Sequence, residues 1–478
     1  MRNGFIILLA LIRIAAAGEC PNVLLILVDD LNTSLGCYGN HKVVSPNIDR
    51  LATNGVRFEH AYSHYPICNP SRTSILSGRR PDTTRVFDNE TPPKKYLTNA
   101  VFLPEFFRRH GCFTARVGKI AHGVFDRDFQ WNVAFDPPRL PRQSQKETWR
   151  ATANKDADEP DGFSAPAAVQ LLEKNRGKPF FLAIGFDKPH LPLIAPKKYF
   201  DLYPLENISL PDEPPNVRNT APWVAFTSSR GWSNEKEHRQ IIAAYYACVS
   251  FIDAQVGIII DALDRLGLTD KTIICLSSDH GFHLGEHGGL WRKSTLFEES
   301  AHVPLIVVVP QSTSAGQVCS RVIEHIDLFP TLAELCDLPP PAGLEGRSFI
   351  PLLKDPADPW DRPAITFLVR ETFLGNVLGC SLRTERWRYT EWDRGKRGRE
   401  LYDHSADPKE FTNLIARAEF QATRAELHDL LHRTVKMPLV KYAFGWFFPY
   451  AAALAILLGW IVLRRQRRRR RLRAISAA

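Results

Sequence analysis

The sequence predicts an α/β fold with helices layered on both faces of one sheet, and three observations predict it. Asn22–Val28, Phe180–Phe186 and Thr272–Leu276 are short, continuously apolar runs rich in β-branched residues, the pattern of strands buried on both faces. Helical periodicity occupies stretches between them, as in chains that alternate strand with helix. Each run then ends in chemically competent residues: Asp29-Asp30, Asp187-Lys188-Pro189-His190 and Ser277-Ser278-Asp279-His280. Open α/β sheets gather ligands beyond the carboxyl ends of their strands, so three strands delivering Asp and His to one edge point to a single site. Taken alone, each carboxylate could equally cap the next helix.

The elements follow in chain order. Phe5–Ala17 is a short apolar run behind Arg2, with Ala15-Ala16-Ala17 as small-residue cleavage positions, so residues 1–17 read as a secretory signal peptide despite Arg13. After the first strand, Ile67–Arg80 reads as a loop entering a short helix. Pro70 suits a first helical turn and Gly78 a stop. Cys68 therefore stands at a helix N-terminus, where unpaired N–H groups and the positive dipole end favour an anion. Arg72, one turn inside, carries a planar fork suited to phosphate or sulfate oxygens. Leu103–His110 reads as a helix ending at Gly111, and Glu237–Leu266 as a long helix ending before Gly267. A fourth strand is expected at Val303–Val309. Pro339-Pro340-Pro341 and the Pro- and Asp-rich stretch Pro351–Pro363 mark a junction. Beyond it, Cys380–Thr390 alternates like a strand of an antiparallel sheet, and Ala416–Leu431 looks helical.

Tyr442–Leu463 is uncharged over 22 residues, long enough to span a bilayer, with Trp446, Tyr450 and Trp460 as interface anchors. The arginine block behind it should stay cytoplasmic. The expected organisation is signal peptide 1–17, catalytic domain 18–340, C-terminal subdomain 341–436, transmembrane helix 442–463 and basic tail 464–478. That places the chain in the secretory pathway or cell envelope, as a single-pass protein with its catalytic domain outside.

A chain of 478 residues can bury a large core. Its net charge of +9 is concentrated in 464–473, where eight arginines stand; without them the chain carries +1. A broad basic surface for nucleic acid is therefore not supported. Of nine cysteines, Cys37, Cys248 and Cys275 lie in apolar surroundings and read as core thiols. With Cys68 reserved for chemistry and Cys20 set aside, the others could pair in an oxidising compartment, but the sequence assigns no pairs.

Asp29, Asp30 and Asp279 offer hard oxygens that suit Ca²⁺ or Mg²⁺ rather than a thiophilic metal. Such a cation would lower the cost of gathering three carboxylates and would polarise a bound oxyanion. His190, after a strand end, joins this group by position. Lys119 and His122 in Arg116–His122, and Lys293 in Gly285–Lys293, read locally as ordinary polar groups.

The pentapeptide Cys68-Asn69-Pro70-Ser71-Arg72 resembles the C-x-P-S-R signature of sulfatases, and other segments agree. They include Asn22–Leu31, Ser34–Gly39, Ser45–Leu51, Gly78–Arg85, Gly118-Lys119, Lys188-Pro189-His190, Ser278–Gly281 and Leu401-Tyr402-Asp403. Together they span about 22–413. The chain resembles a type I, formylglycine-dependent sulfatase of the alkaline-phosphatase superfamily, most similar to the iduronate-2-sulfatase type. The resemblance implies an alkaline-phosphatase-like sandwich with a central mixed β-sheet and a smaller C-terminal subdomain carrying an antiparallel sheet. It implies that a formylglycine-generating enzyme converts Cys68 to formylglycine, whose hydrate attacks sulfur. It implies calcium, or magnesium in its place, held by Asp29, Asp30, Asp279, His280 and the modified Cys68. Arg72, Lys119 and His122 would hold and activate the hydrate. His190 and Lys293 would bind sulfate oxygens and stabilise or protonate the leaving alcohol of a sulfated carbohydrate. A phosphoester or phosphonate hydrolase of the same superfamily shares the metal-bearing strand ends but need not carry C-x-P-S-R. An inactive carbohydrate-binding relative would have lost some of these residues, and all are present.

Overall fold

The computed structural model describes residues 21–139, 147–226, 232–373 and 375–436. The expected signal peptide, transmembrane helix and arginine tail lie outside the described residues. The catalytic body is built on an eight-stranded sheet of β1 (Asn22–Val28), β2 (Val56–Tyr62), β3 (Phe113–Gly118), β4 (Val133–Phe135), β5 (Phe180–Phe186), β6 (Thr272–Ser278), β7 (His302–Val308) and β8 (Val318–Glu324). The order is β8-β2-β7-β6-β1-β5-β3-β4. β1 runs parallel to both β5 and β6, pairing Val28 with Phe186 on one side and Ser278 on the other. β3 is parallel to β4 and β5, and β8 to β2. Only β7 runs antiparallel to its neighbours, so the sheet is mixed. Because β1, β5 and β6 run parallel in register, their carboxyl ends coincide.

Side chains of β1 alternate between two cores, as the period of two in a strand requires. Leu24, Ile26 and Val28 enter one cluster, and Val23, Leu25 and Leu27 the other. The first is covered by α1 (Pro46–Asn54), α4 (Pro160–Asn175) and α5 (Glu235–Arg265); the second by α2 (Cys68–Ser77), α3 (Leu103–Arg109) and α6 (Leu328–Leu335). Val23–Val28 are fully buried, worth about 1.5–3 kcal/mol for each large side chain. α5 is long and apolar enough to cross a bilayer, but 83% of its apolar stretch is buried. It is the core helix of its layer. Asn234 caps it by accepting from Glu237 N, and Asp253 within it accepts from Asn47 N and Ile48 N at the start of α1.

The C-terminal sheet is an antiparallel meander of β9 (Ala364–Thr372), β10 (Gly375–Arg383), β11 (Trp387–Trp392) and β12 (Gly398–Asp403), followed by α7 (Gln421–Thr434). The single strand expected over Cys380–Thr390 is instead two strands and the turn between them. Ser381 pairs with Thr390 and Arg383 with Arg388, while Thr384 N donates to Trp387 O at 2.8 Å. Alternation continues through both arms of so tight a hairpin, which is why it reads as one strand. α7 starts later and runs further than the expected Ala416–Leu431. Tyr65, Leu290 and Phe297 of the catalytic body share a cluster with Ile365, Trp392 and Leu431, and Phe349 and Trp360 beyond the proline junction pack with Phe106 and Phe329. The C-terminal sheet is therefore packed directly against the catalytic body. Cys37, Cys248 and Cys275 are free thiols, as are Cys319 and Cys380.

Candidate active site

The strand ends deliver the site. Asp29 and Asp30 follow β1 directly, and both are buried. Asp30 has φ +63°, a left-handed conformation that aspartate tolerates better than most residues. Tyr245 of α5 holds this turn: its hydroxyl donates to Asp30 O at 2.7 Å and accepts from Asn32 N at 2.8 Å. Ser278 ties the ends of β1 and β6 together, donating to Val28 O and accepting from Leu31 N. Nothing in the local sequence marks Tyr245, because it lies on a core helix and acts through its hydroxyl alone.

α2 begins at Cys68, and Gly78 ends it in the left-handed conformation with its N–H on Ser74 O. The Cys68 thiol, 1% exposed, lies 3.4 Å from Asp29 Oδ1 and 3.1 Å from Lys293 Nζ. Burial, then the charge of Asp29, pushes this thiol up to about 12. As cysteine it is fully protonated at neutral pH and a poor nucleophile. Ser71, in the next turn, donates to Asp279 O.

Arg72 follows within α2. Its fork is fully buried and bonded within the protein rather than open to a sulfate. Nε donates to Asp279 Oδ2 at 2.8 Å, and Nη1 to the carbonyls of Lys119 and Ile120 at 2.6 and 3.1 Å. Nη2 has no hydrogen-bond partner among the described residues and faces Asp29 Oδ1 at 3.7 Å. Arg72 therefore positions carboxylates and the Lys119 loop.

Lys119 leaves β3 through Gly118, whose φ is +71° and where a Cβ would lie 2.1 Å from Gly185 O. Only glycine allows β3 and β5 to approach so closely at this turn. The Lys119 ammonium bonds Asp29 Oδ2. Asp126 accepts from Ile120 N and Ala121 N and so shapes the same loop. Lys293, flanked by Arg292 and Ser294 at φ +74° and +72°, bonds Asp30 Oδ1 at 2.6 Å. Arg370 of β9 holds that strained turn by donating to Ser294 O at 2.6 Å. Three cations thus face Asp29, Asp30 and Asp279, and the charges cancel. Burial alone would raise Asp29, but Lys119, His190, Arg72 and Lys293 hold it well below the usual carboxylate range. Asp279 is likewise lowered, burial being outweighed by Arg72.

Asp29, Asp30, Cys68 and His280 present donor atoms within 4.8 Å of one another. Asp279 stands behind this group, its oxygens occupied by Arg72 and the N–H groups of Asp30 and His280. His280 Nδ1 lies 3.1 Å from Gly281 O, which can only accept, so Nδ1 carries the proton and Nε2 a lone pair. That buried Nε2 has no hydrogen-bond partner among the described residues, and burial lowers the imidazole so that it stays neutral. Two buried carboxylates and an uncommitted imidazole nitrogen fit a hard divalent cation. A dication would also turn a charge-balanced site into one attractive to an anionic ester.

His190 stands at the mouth, 34% exposed, with Nε2 4.0 Å from Asp30 Oδ2. Its Nδ1 donates to Leu191 O at 2.7 Å, leaving Nε2 to face the site. His122 makes no hydrogen bond in the cluster; its Nδ1 is buried without a partner among the described residues. Burial, then Lys119, lowers it to about 4. Of the residues singled out by sequence, the structure brings Asp29, Asp30, Cys68, Arg72, Lys119, His190, Asp279, His280 and Lys293 into one contact network.

The chain is also similar to known proteins. The family model described as Sulfatase matches residues 21–338, and that of the N-sulphoglucosamine sulphohydrolase C-terminal region matches 285–437. The mouse (Mus musculus) iduronate 2-sulfatase is 36% identical over 402 residues, covering 70% of this chain and 72% of its own length. A sulfatase of Formosa agariphila is 34% identical over 451 residues, 87% of each chain. The fold matches that of the phosphonate monoester hydrolase of Agrobacterium radiobacter, with TM-score 0.75, 23% identity, and 88% and 97% of the two chains covered. The chain belongs to the sulfatase family of the alkaline-phosphatase superfamily and is a sulfuric ester hydrolase.

Proposed function

We propose that this sulfatase desulfates sulfated carbohydrate, with residue 68 as formylglycine and a hard divalent cation, calcium in the first place, held by Asp29, Asp30, residue 68 and His280. The observation that carries the reading is Cys68 itself: the first residue of C-x-P-S-R, at the head of α2, between a carboxylate and an ammonium. A protonated thiol is a poor nucleophile, whereas formylglycine at this position would supply a hydroxyl nucleophile once hydrated. The cation supplies positive charge against the sulfate oxygens. Identity to iduronate 2-sulfatase supports a uronate 2-sulfate as the first substrate to test.

The chain's own groups divide the remaining work. Lys119 and Lys293 bring ammonium charge to the two carboxylates and to residue 68, beside the place where the sulfate oxygens would lie. Arg72 keeps Asp279 and the Lys119 loop in place. His190 presents Nε2 towards the mouth, where the alcohol departs, and as imidazolium donates the proton that oxygen needs. A formylglycine-generating enzyme is the implied partner. The catalytic domain faces outward, anchored by Tyr442–Leu463 with the arginines inside.

Peptide mass spectrometry of active enzyme should find an aldehyde at residue 68, with hydrolysis of sulfate esters exceeding that of matched phosphate and phosphonate esters. Cysteine at residue 68 in fully active enzyme, or a preference for phosphonate esters, would overturn the reading. A chain ending at Lys436 should be soluble and retain turnover on a small sulfate ester; membrane retention of that shorter chain would refute the anchor.

A further inference from the structure

The C-terminal sheet carries a second group of ligand-type side chains that sulfate hydrolysis does not use. His428 and His432 lie one turn apart on α7, the spacing that puts two side chains on one helix face. Glu391 of β11 is fully buried beneath them. His428 Nδ1 is 2.8 Å from Glu391 Oε1, and His432 Nε2 is 3.1 Å from Oε2. One donor atom from each of the three residues falls within 4.8 Å of the others.

We infer that Glu391, His428 and His432 bind a borderline divalent transition ion, zinc foremost, which pins α7 to β11. Two imidazoles and a carboxylate are the donor set such ions prefer, and calcium does not. Donors around a tetrahedral zinc with bonds of about 2.0–2.1 Å stand roughly 3.3 Å apart; the two imidazoles stand 2.8 and 3.1 Å from separate Glu391 oxygens, so a small outward shift of α7 side chains admits the ion. The carboxylate is oriented from behind, as ligating carboxylates are: Tyr389 Oη donates to Oε1 at 2.7 Å, and Arg399 Nε stands 3.4 Å from the same oxygen. Both imidazoles are partly exposed, so the ion has a path in and a water can complete its shell. Glu391 also has a guanidinium beside it, Arg399 at 3.4 Å, but two other such groups are held by an arginine through closer bonds. In His60–Glu298–His302 and Glu298–His404–Glu410 the Arg388 guanidinium is bonded to the carboxylates and takes the place a metal would occupy. At Glu391 the groups on the helix side are imidazoles, which can release a proton to a metal.

The test uses the purified full chain with excess calcium, so that the active-site donors are already committed. Zinc alone should bind at one further site per chain by calorimetry and raise the unfolding temperature. Cobalt alone should give the visible absorption of a low-coordinate complex. The His428→Gln/His432→Gln double variant, and His432→Gln alone, keep hydrogen-bonding groups at partly exposed positions. Both should lose at least tenfold in zinc affinity, together with the cobalt bands and the thermal shift, while turnover of a small sulfate ester stays at the wild-type rate. Zinc binding that survives both substitutions, or no zinc event beyond the calcium-filled site in the wild type, overturns the inference.

Discussion

Replacing Lys293 with methionine keeps the length of the side chain and removes its charge. In the structure Nζ lies 2.6 Å from Asp30 Oδ1 and 3.1 Å from Cys68 Sγ, with the side chain 15% exposed. A unit charge at about 4 Å is worth about 4 kcal/mol at the effective dielectric of such sites. Only the part that grows as charge moves onto the sulfate oxygens enters the barrier. Loss of one preorganised donor of this kind costs about 3–4 kcal/mol, a fall of roughly 10²–10³ in kcat. Lys293→Met also frees Asp30 Oδ1 from its ammonium, so bound cation should be retained or increased. The assay is kcat on an aryl sulfate, beside metal content by elemental analysis and an unfolding curve. A fall in kcat with full metal occupancy supports the assignment. Unchanged kcat, or activity lost in proportion to metal, would refute it and make Lys293 a structural counter-ion.

His190→Ala should lower turnover of a sugar sulfate by roughly 10²–10⁴-fold, with a smaller defect on activated aryl sulfates whose leaving groups need no proton; equal losses would make His190 a sulfate-binding group. Asp279→Ala leaves Arg72 buried beside an incomplete carboxylate set, so it should cost about 3–5 kcal/mol of stability by urea unfolding along with nearly all activity; a stable, active variant would contradict the network. His287, buried on the loop that leads to Lys293, pairs at 3.1 Å with the partly buried Glu299 beyond it. Burial opposes the charge on His287, but Glu299 raises it to about 9. Its contribution is therefore complete below the unfolded value near 6.5 and lost as pH rises through 9. Glu299 is held at about 2, burial being outweighed by His287, so its share is lost only as pH falls from about 4.5 through 2. His287→Gln should flatten the alkaline fall in urea midpoint between pH 6.5 and 9, and a midpoint that falls as steeply as in the wild type would refute the pairing.

Strands β1, β5 and β7 were legible almost to the residue, because continuous burial writes an unbroken apolar run. The polar endings of β1, β5 and β6 announced an edge rich in Asp and His, and the C-x-P-S-R resemblance named its chemistry. β2 escaped, since Arg57, Glu59 and His60 interrupt its apolar pattern; the partners that satisfy it, β7 and β8, lie far along the chain. The planar fork of Arg72 was legible in the sequence, but its carboxylate partner, 207 residues away, was not. Tyr245, which fixes the Asp30 turn across 215 residues, left no local trace. Periodicity, caps and turn residues act over a few neighbours, so the sequence alone determined where strands and helices run and which residues could do chemistry. Strand order and the pairing of Arg72, Lys119 and Lys293 with buried carboxylates depend on long-range contacts in a buried, low-dielectric site, and only the tertiary structure decided them.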